Sequence, residues 1–305
     1  MGKPAREHEP VLVEQVLQYL DPRPGQVILD GTVGLGGHAA ALLPHIVPGG
    51  RYLGLDLDDR MLAVARERLG QVGGVEVTLE QANYTDFPDL LARLGLPAVD
   101  HMLLDLGMNS AQLADPSRGF SFESDGPLDM RFDQTQELRA LDLVNGLSER
   151  ELADLLYFNA QEGASRKIAK RICQVRHEGR ITTTLTLARA VESAVAAGGR
   201  PPGRIHPATR VFQALRIAVN GELDNLRTFL ARAAEFLRPG GKLAVISFHS
   251  LEDGIVKQFL RSPTAAGTLE ETTRRPVVAD VRERGANPRS RSAKMRVAVR
   301  LGGAD

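Results

Sequence analysis

The sequence predicts an α/β sheet domain interrupted by an all-helical insert. Three observations predict it: strand and helix signals alternate through the first hundred residues, strand signals vanish from about 113 to 205, and the alternation then returns.

The first strand is Val27-Ile28-Leu29-Asp30, a short apolar run closed by an acid and followed by glycines. A helical stretch and the turn Pro48-Gly49-Gly50 lead to a second strand, Tyr52-Leu53-Gly54-Leu55-Asp56. Asp58 can cap the next helix, where Leu62, Ala65 and Leu69 recur at helical spacing. Val75 to Leu79 reads as a third strand and Val99 to Leu106 as a fourth. Inside the insert, Ser148 and Glu151 form a capping box ahead of a helix through Leu155 and Leu156. A second helix runs from about Ser165 to His177 and stops at Gly179. Thr184 caps a third, which ends at Gly198-Gly199 before Pro201-Pro202. A long helix from about Pro207 to Leu237, broken near Asn220-Gly221, leads through the turn Arg238-Pro239-Gly240-Gly241 into the strand Lys242 to Ser247. Ser250 with Asp253 caps the following helix, and Val297-Ala298-Val299 supplies a last edge strand. The expected domains are 1–112 with 206–305 for the sheet, and 113–205 for the insert.

A length of 305 residues suits about two domains, and 43% apolar with 25% charged residues is ordinary for a globular chain. No apolar run approaches the ~20 residues that span a bilayer. The stretch Met1 to Glu7 has no apolar core of a secretion signal, and the single Cys173 excludes an internal disulfide and a cysteine-based zinc site. A cytoplasmic protein is expected. The net charge of zero conceals two basic blocks. Residues 166–216 hold eleven Arg or Lys against Glu178 and Glu192, a net +9, and residues 274–300 hold nine against Asp280 and Glu283, a net +7. Such blocks point to a polyanionic partner or to solvated helix faces.

Asp30-Gly31-Thr32-Val33-Gly34-Leu35-Gly36-Gly37-His38 lies between a strand and a helix, where glycines let the backbone approach a ligand. The Gly-Lys-[Ser/Thr] ending of a P-loop is absent, and Ala39 stands where a dinucleotide fingerprint has its third glycine. Asp56 closes the second strand, where an acid accepts hydrogen bonds from ribose hydroxyls or simply caps a helix. Tyr84 can stack on an adenine or serve as a half-buried aromatic. With Asp105 at the end of the fourth strand, Asp30 and Asp56 are expected to ring one crevice.

Longer blocks carry a family resemblance. Asp30 to His38, Asp105-Leu106-Gly107, Gly126 to Arg131, His206 to Arg210, Phe212 to Ile217, Ile246 to Asp253 and Asn287 to Lys294 resemble the ribosomal small-subunit methyltransferase H family (RsmH, also called MraW). The resemblance implies a class I (Rossmann-like) methyltransferase sheet with a helical insert that recognises RNA. It implies S-adenosylmethionine as cofactor and N4-methylation of a cytidine in 16S ribosomal RNA near the decoding centre. The RNA would be met in the small ribosomal subunit or a late assembly intermediate. The family's cofactor contacts fall on Gly36, Gly37, His38, Asp56, Tyr84, Asp105 and Gln112. The chain departs from the family at Asn159 to Arg166, at Met108-Asn109, at Gly221 and at Gly254.

Methyl transfer to an exocyclic amine needs alignment and a proton acceptor. Asp105 is the first candidate. His249 is the second, against the plainer reading of a turn histidine at a helix start. Arg210, Arg216, Arg289, Arg291 and Lys294 are candidate phosphate contacts, with salt bridges to the insert as the alternative for the first two. His206 suits a structural or RNA-binding role. No residue spacing calls for a metal, and no Ser-His-Asp ordering suggests a hydrolase. A nicotinamide-dependent oxidoreductase would share Asp56 but wants the missing glycine. A non-catalytic RNA-binding protein would explain the charge but not the glycine loop with Asp105.

Overall fold

The computed structural model describes residues 9–196, 206–262, 264–265 and 267–302. In chain order its elements are α1 (Val13–Leu20), β1 (Val27–Asp30), α2 (Gly37–Ile46), β2 (Gly50–Asp56), α3 (Asp59–Leu69), β3 (Val75–Gln81), α4 (Phe87–Arg93) and β4 (Val99–Asp105). Then come α5 (Ser110–Ala114), α6 (Ala140–Gly146), α7 (Glu149–Ala160), α8 (Ser165–Glu178), α9 (Thr184–Ala196), α10 (Ala208–Asn220) and α11 (Glu222–Ala233). The last are β5 (Leu237–Ser247), α12 (Ser250–Leu260), β6 (Leu269–Glu271), α13 (Val281–Ala286) and β7 (Lys294–Arg300). The expected stop of α9 at Gly198-Gly199 and Pro201-Pro202, and the segment Met1 to Glu7, lie outside the described residues.

The chain divides into a unit of residues 1–107 with 223–305 and a unit of residues 108–222. The sequence puts the return to the sheet unit at 206. The structure puts it at 223, because α10 buries Val211, Ala214 and Leu215 in the helical core.

In the first unit the strands run β3-β2-β1-β4-β5-β7-β6, parallel from β3 to β5, with β7 antiparallel to both its neighbours. The parallel core flanked by helices is the α/β sheet that the sequence predicts. Alternate strand residues feed two cores, as the period of two requires. Val27, Leu29, Leu53, Leu55, Leu104 and Val245 pack with α4, α11 and α12; Ile28, Tyr52, Leu103 and Ile246 pack with α1, α2 and α3. The C-terminal strand is internal rather than at the edge. The edge is β6, whose two glutamates in three residues hide it from a hydrophobic-pattern reading. The turn expected at 238–241 is a bulge within β5, where the register against β4 shifts between Val99 and His101.

Two expected caps are shifted by one residue. α9 is opened by Thr183, whose Oγ1 accepts from the Thr186 N–H (3.4 Å), while the buried Thr184 donates to the Ser124 carbonyl (3.2 Å). α12 is capped by His249 with Glu252, not by Ser250 with Asp253.

The helical unit is built on the inward faces of α7, α8, α9 and α10, with Leu152, Leu156, Ile168, Ile172, Leu187, Val191, Val211 and Leu215 in its core. The Ser148–Glu151 box opens α7. Gly221 ends α10 at φ 61°, a left-handed conformation that suits a glycine, and α11 begins at the next residue. None of the described helices is long and apolar enough to cross a membrane.

Candidate active site

β1, β2 and β4 lie side by side, and each ends in an acid. Asp30 is opposite Gly54 and Leu103, so β2 and β4 run two residues further and carry Asp56 and Asp105 beyond it. That register gives the acids different roles. Asp30 is buried rather than lining a crevice: it accepts from the Tyr52 hydroxyl (2.6 Å) and from the Thr32 N–H (2.9 Å). Burial raises its pKa, although the Tyr52 hydrogen bond works against the rise. Burial, with the Asp30 charge beside it, pushes the Tyr52 phenol well above its ordinary value.

The glycine loop is stitched to both outer acids. The Asp56 carboxylate accepts from the Gly34 N–H (2.7 Å) and the Asp58 N–H (2.9 Å). Burial pushes the Asp56 pKa up to about 6 despite these bonds. Thr32 Oγ1 accepts from the Asp105 N–H (2.6 Å), a tie that sequence reading missed. Gly31 is needed for close approach, since a Cβ there would stand 2.5 Å from Leu104 Cδ2 and 2.7 Å from Tyr84 Cβ.

Gly36 sits at the N-cap of α2, with Gly37 and His38 in its first turn. His38 is buried, with Nε2 3.4 Å from Asp105 Oδ2. Burial opposes a charge on the imidazole, but the Asp105 carboxylate outweighs it and holds the His38 pKa above its usual value. Asp105 Oδ1 is buried and, among the described residues, has no hydrogen-bond partner. An acceptor left open at the carboxyl end of a sheet is an expensive feature unless a ligand donor uses it. Arg289, from the turn before β7, is half-buried and electrostatically coupled to Asp105: burial lowers its pKa and the carboxylate pulls it back up. The sequence suggested Arg289 only as a phosphate contact. Its link to Asp105 across 184 positions left no local signal.

Tyr84 follows β3, half-buried, with its ring edge-on to Phe229 at 5.6 Å. Six of the seven cofactor positions implied by the resemblance thus belong to the sheet unit. Gln112 belongs to the helical unit, where it shares a capping box with Asn109.

His249 caps α12. Its Nδ1 accepts from the Glu252 N–H (3.4 Å), its own N–H donates to Glu252 Oε2 (3.2 Å), and its Nε2 lies 3.1 Å from Glu252 Oε1. The histidine thus caps the helix through Nδ1, while its buried Nε2 has no hydrogen-bond partner among the described residues. Arg216 is held in a two-pronged ion pair with Glu222 (2.7 and 2.7 Å), a salt bridge whose partner lies beyond the expected insert bounds of 113–205. Arg210 is exposed, 3.9 Å from Glu162. Arg291 is exposed and donates to the Arg284 carbonyl (3.1 Å), and Lys294 lies 3.7 Å from Asp253. His206 is pinned by Glu192 (2.6 Å) and lies against Phe122.

A model of the MraW methylase family matches residues 5–301. Proteins named ribosomal RNA small subunit methyltransferase H are similar along nearly their whole lengths. The one from Sorangium cellulosum is 49% identical over 299 residues, covering 98% of this chain and 92% of the relative. That from Syntrophotalea carbinolica is 47% identical over 316 residues, covering 99% and 100%. That from a Cyanothece species is 47% identical, covering 96% and 95%.

Proposed function

The chain belongs to the MraW methylase family, and from that premise we propose that it transfers a methyl group from S-adenosylmethionine to N4 of a cytidine in 16S ribosomal RNA. The cytidine lies near the decoding centre, and the RNA is met in the cytoplasm within the small subunit or a late assembly intermediate. The observation that carries this reading is the buried, open Oδ1 of Asp105 beside His38 and the glycine loop. The names of the relatives support ribosomal RNA as substrate.

The residues present suit the cofactor. Asp56, at the end of β2, would take the ribose hydroxyls, and Tyr84 and the backbone of Gly36 and Gly37 would flank the nucleoside. When bound, S-adenosylmethionine supplies an electrophilic methyl on a sulfonium.

The work left to the chain is positioning and proton handling. Cytosine's N4 is a poor nucleophile because its lone pair is delocalised into the ring. Asp105 Oδ1 accepts a hydrogen bond from N4–H, orients the amine and receives its proton as the new bond forms. His38 flanks that carboxylate, 3.4 Å from Oδ2, and the Arg289 guanidinium attracts it electrostatically. Alignment of this kind supplies on the order of 7–11 kcal/mol, and a positioned acceptor roughly 10²–10⁴ in rate.

The test is transfer of labelled methyl to small subunits lacking their native cytidine methylation, with the labelled nucleoside identified after digestion. N4-methylcytidine, lost by roughly 10²–10⁴ in kcat with Asp105→Asn, is expected. Label in any other nucleoside overturns the assignment.

A further inference from the structure

We infer that Tyr157 and Phe158, with the cations around them, form a stacking site for unpaired bases of an RNA; this deepens the proposed substrate reading and rests on it. The two rings close the last turn of α7, whose opposite face buries Leu152, Ala153 and Leu156 in the helical core. They are 55% and 67% exposed, the exposed aromatics among the described residues; the other large exposed apolar side chains are aliphatic. Their centroids are 5.4 Å apart and their planes cross at 79°, so they form a wedge.

The surroundings favour RNA as the occupant. Immediately after the wedge the chain reverses: the Gln161 N–H donates to the Tyr157 carbonyl (2.8 Å), the Glu162 N–H to the Leu156 carbonyl (3.4 Å), and α8 starts at Ser165. Arg166 and Lys167 then project into solvent from the first turn of α8, and Lys170 one turn later. That turn itself holds no acid, and the buried Glu162 carboxylate just before it accepts from the Ala164 N–H at the N-cap (2.8 Å), which leaves the exposed cations of the turn to meet solvent. On α10, Arg210 approaches the same reversal through Glu162 and is 53% exposed. The one acid in the preceding turn of α7, Asp154, faces Arg150 at 3.9 Å. Aromatic faces interleaved with cations are what single strands require: bases stack and phosphates pair. Crossed ring planes suit one splayed-out nucleotide against each ring, not an intact duplex.

The experiment measures binding of the full chain to a short single-stranded RNA carrying 2-aminopurine, at several salt concentrations. Tyr157→Ala/Phe158→Ala should bind more weakly by roughly thirtyfold or more with its salt slope unchanged, since stacking contributes ~1–3 kcal/mol for each of the two bases. Arg166→Gln/Lys167→Gln should instead flatten the slope by about 1.4. Phe158→Ala alone, at an exposed position, guards against a misfolded double variant. Unchanged affinity in the aromatic variants overturns the inference alone. So does loss of self-association on sedimentation with RNA affinity intact, which would assign the wedge to a second copy of the chain. No RNA binding by the parent chain overturns the proposed function as well.

Discussion

Acidification should weaken S-adenosylmethionine binding through Asp56. Its carboxyl is pushed up to about 6 by burial, against the Gly34 and Asp58 N–H donors that favour the charged form. Ribose hydroxyls donate, so they need the carboxylate; hydrogen bonds to a charged group contribute about 1.5–3 kcal/mol. The folded pKa lies above the unfolded value of 3.8, so the proton is held at pH values where an unfolded chain has already released it. Below about pH 6, binding must therefore expel a proton. Between about pH 7.5 and 5 the ionised fraction falls from nearly all to roughly a tenth, and Kd should rise about tenfold. His38, itself held above its ordinary value, gains a proton in the same direction, so the control is Asp56→Asn. That variant should bind roughly ten- to a hundredfold more weakly at pH 7.5 and show a much smaller pH slope. Calorimetric titration at matched ionic strength decides it. A flat Kd across this range, or an equal slope in Asp56→Asn, refutes the reasoning.

Other expectations concern stability. Burial, aided by the Lys242 charge, lowers buried His101 to about 4, and its Nε2 meets Gln26 Oε1 at 3.0 Å. An unfolded chain takes up that proton near 6.5, so stability is lost as pH falls from about 6.5 to 4, by up to about 3 kcal/mol; urea midpoints should track this, with a flatter profile for His101→Gln. Gly31→Ala forces a Cβ against Leu104 and Tyr84 and should destabilise the fold by about 1–3 kcal/mol, read as a lower thermal midpoint. Gly221→Ala, at φ 61°, should cost about 1 kcal/mol in the same assay.

The elements that sequence reading recovers are those with a strong local signature. β1, β2 and β4 are apolar runs closed by acids, and the Ser148–Glu151 box is a four-residue pattern. What escaped it depends on register or distant packing. Only the pairing of Asp30 with Gly54 and Leu103 shows that this acid is buried against Tyr52 while Asp56 and Asp105 reach the rim. The tie from Thr32 to Asp105 and the approach of Arg289 join residues that no local window contains. The return to the sheet unit at 223 rather than 206 was hidden because α10 and α11 are separated by a single glycine. His249 was ambiguous because a histidine caps a helix with the same ring it would offer a substrate.

The place of β7 between β5 and β6 has a consequence for synthesis. Residues 108–222, which hold the helical core, are complete while the sheet still lacks β5, β6 and β7. At roughly 5–20 residues per second, the ribosome needs several seconds more to deliver Lys294–Arg300. Until then β5 has an unpaired flank and β6 has no neighbour to join. The helical unit can therefore mature while the catalytic sheet is an open template for mispairing. A nascent chain stalled before residue 294 should bind chaperones more strongly than one released at full length.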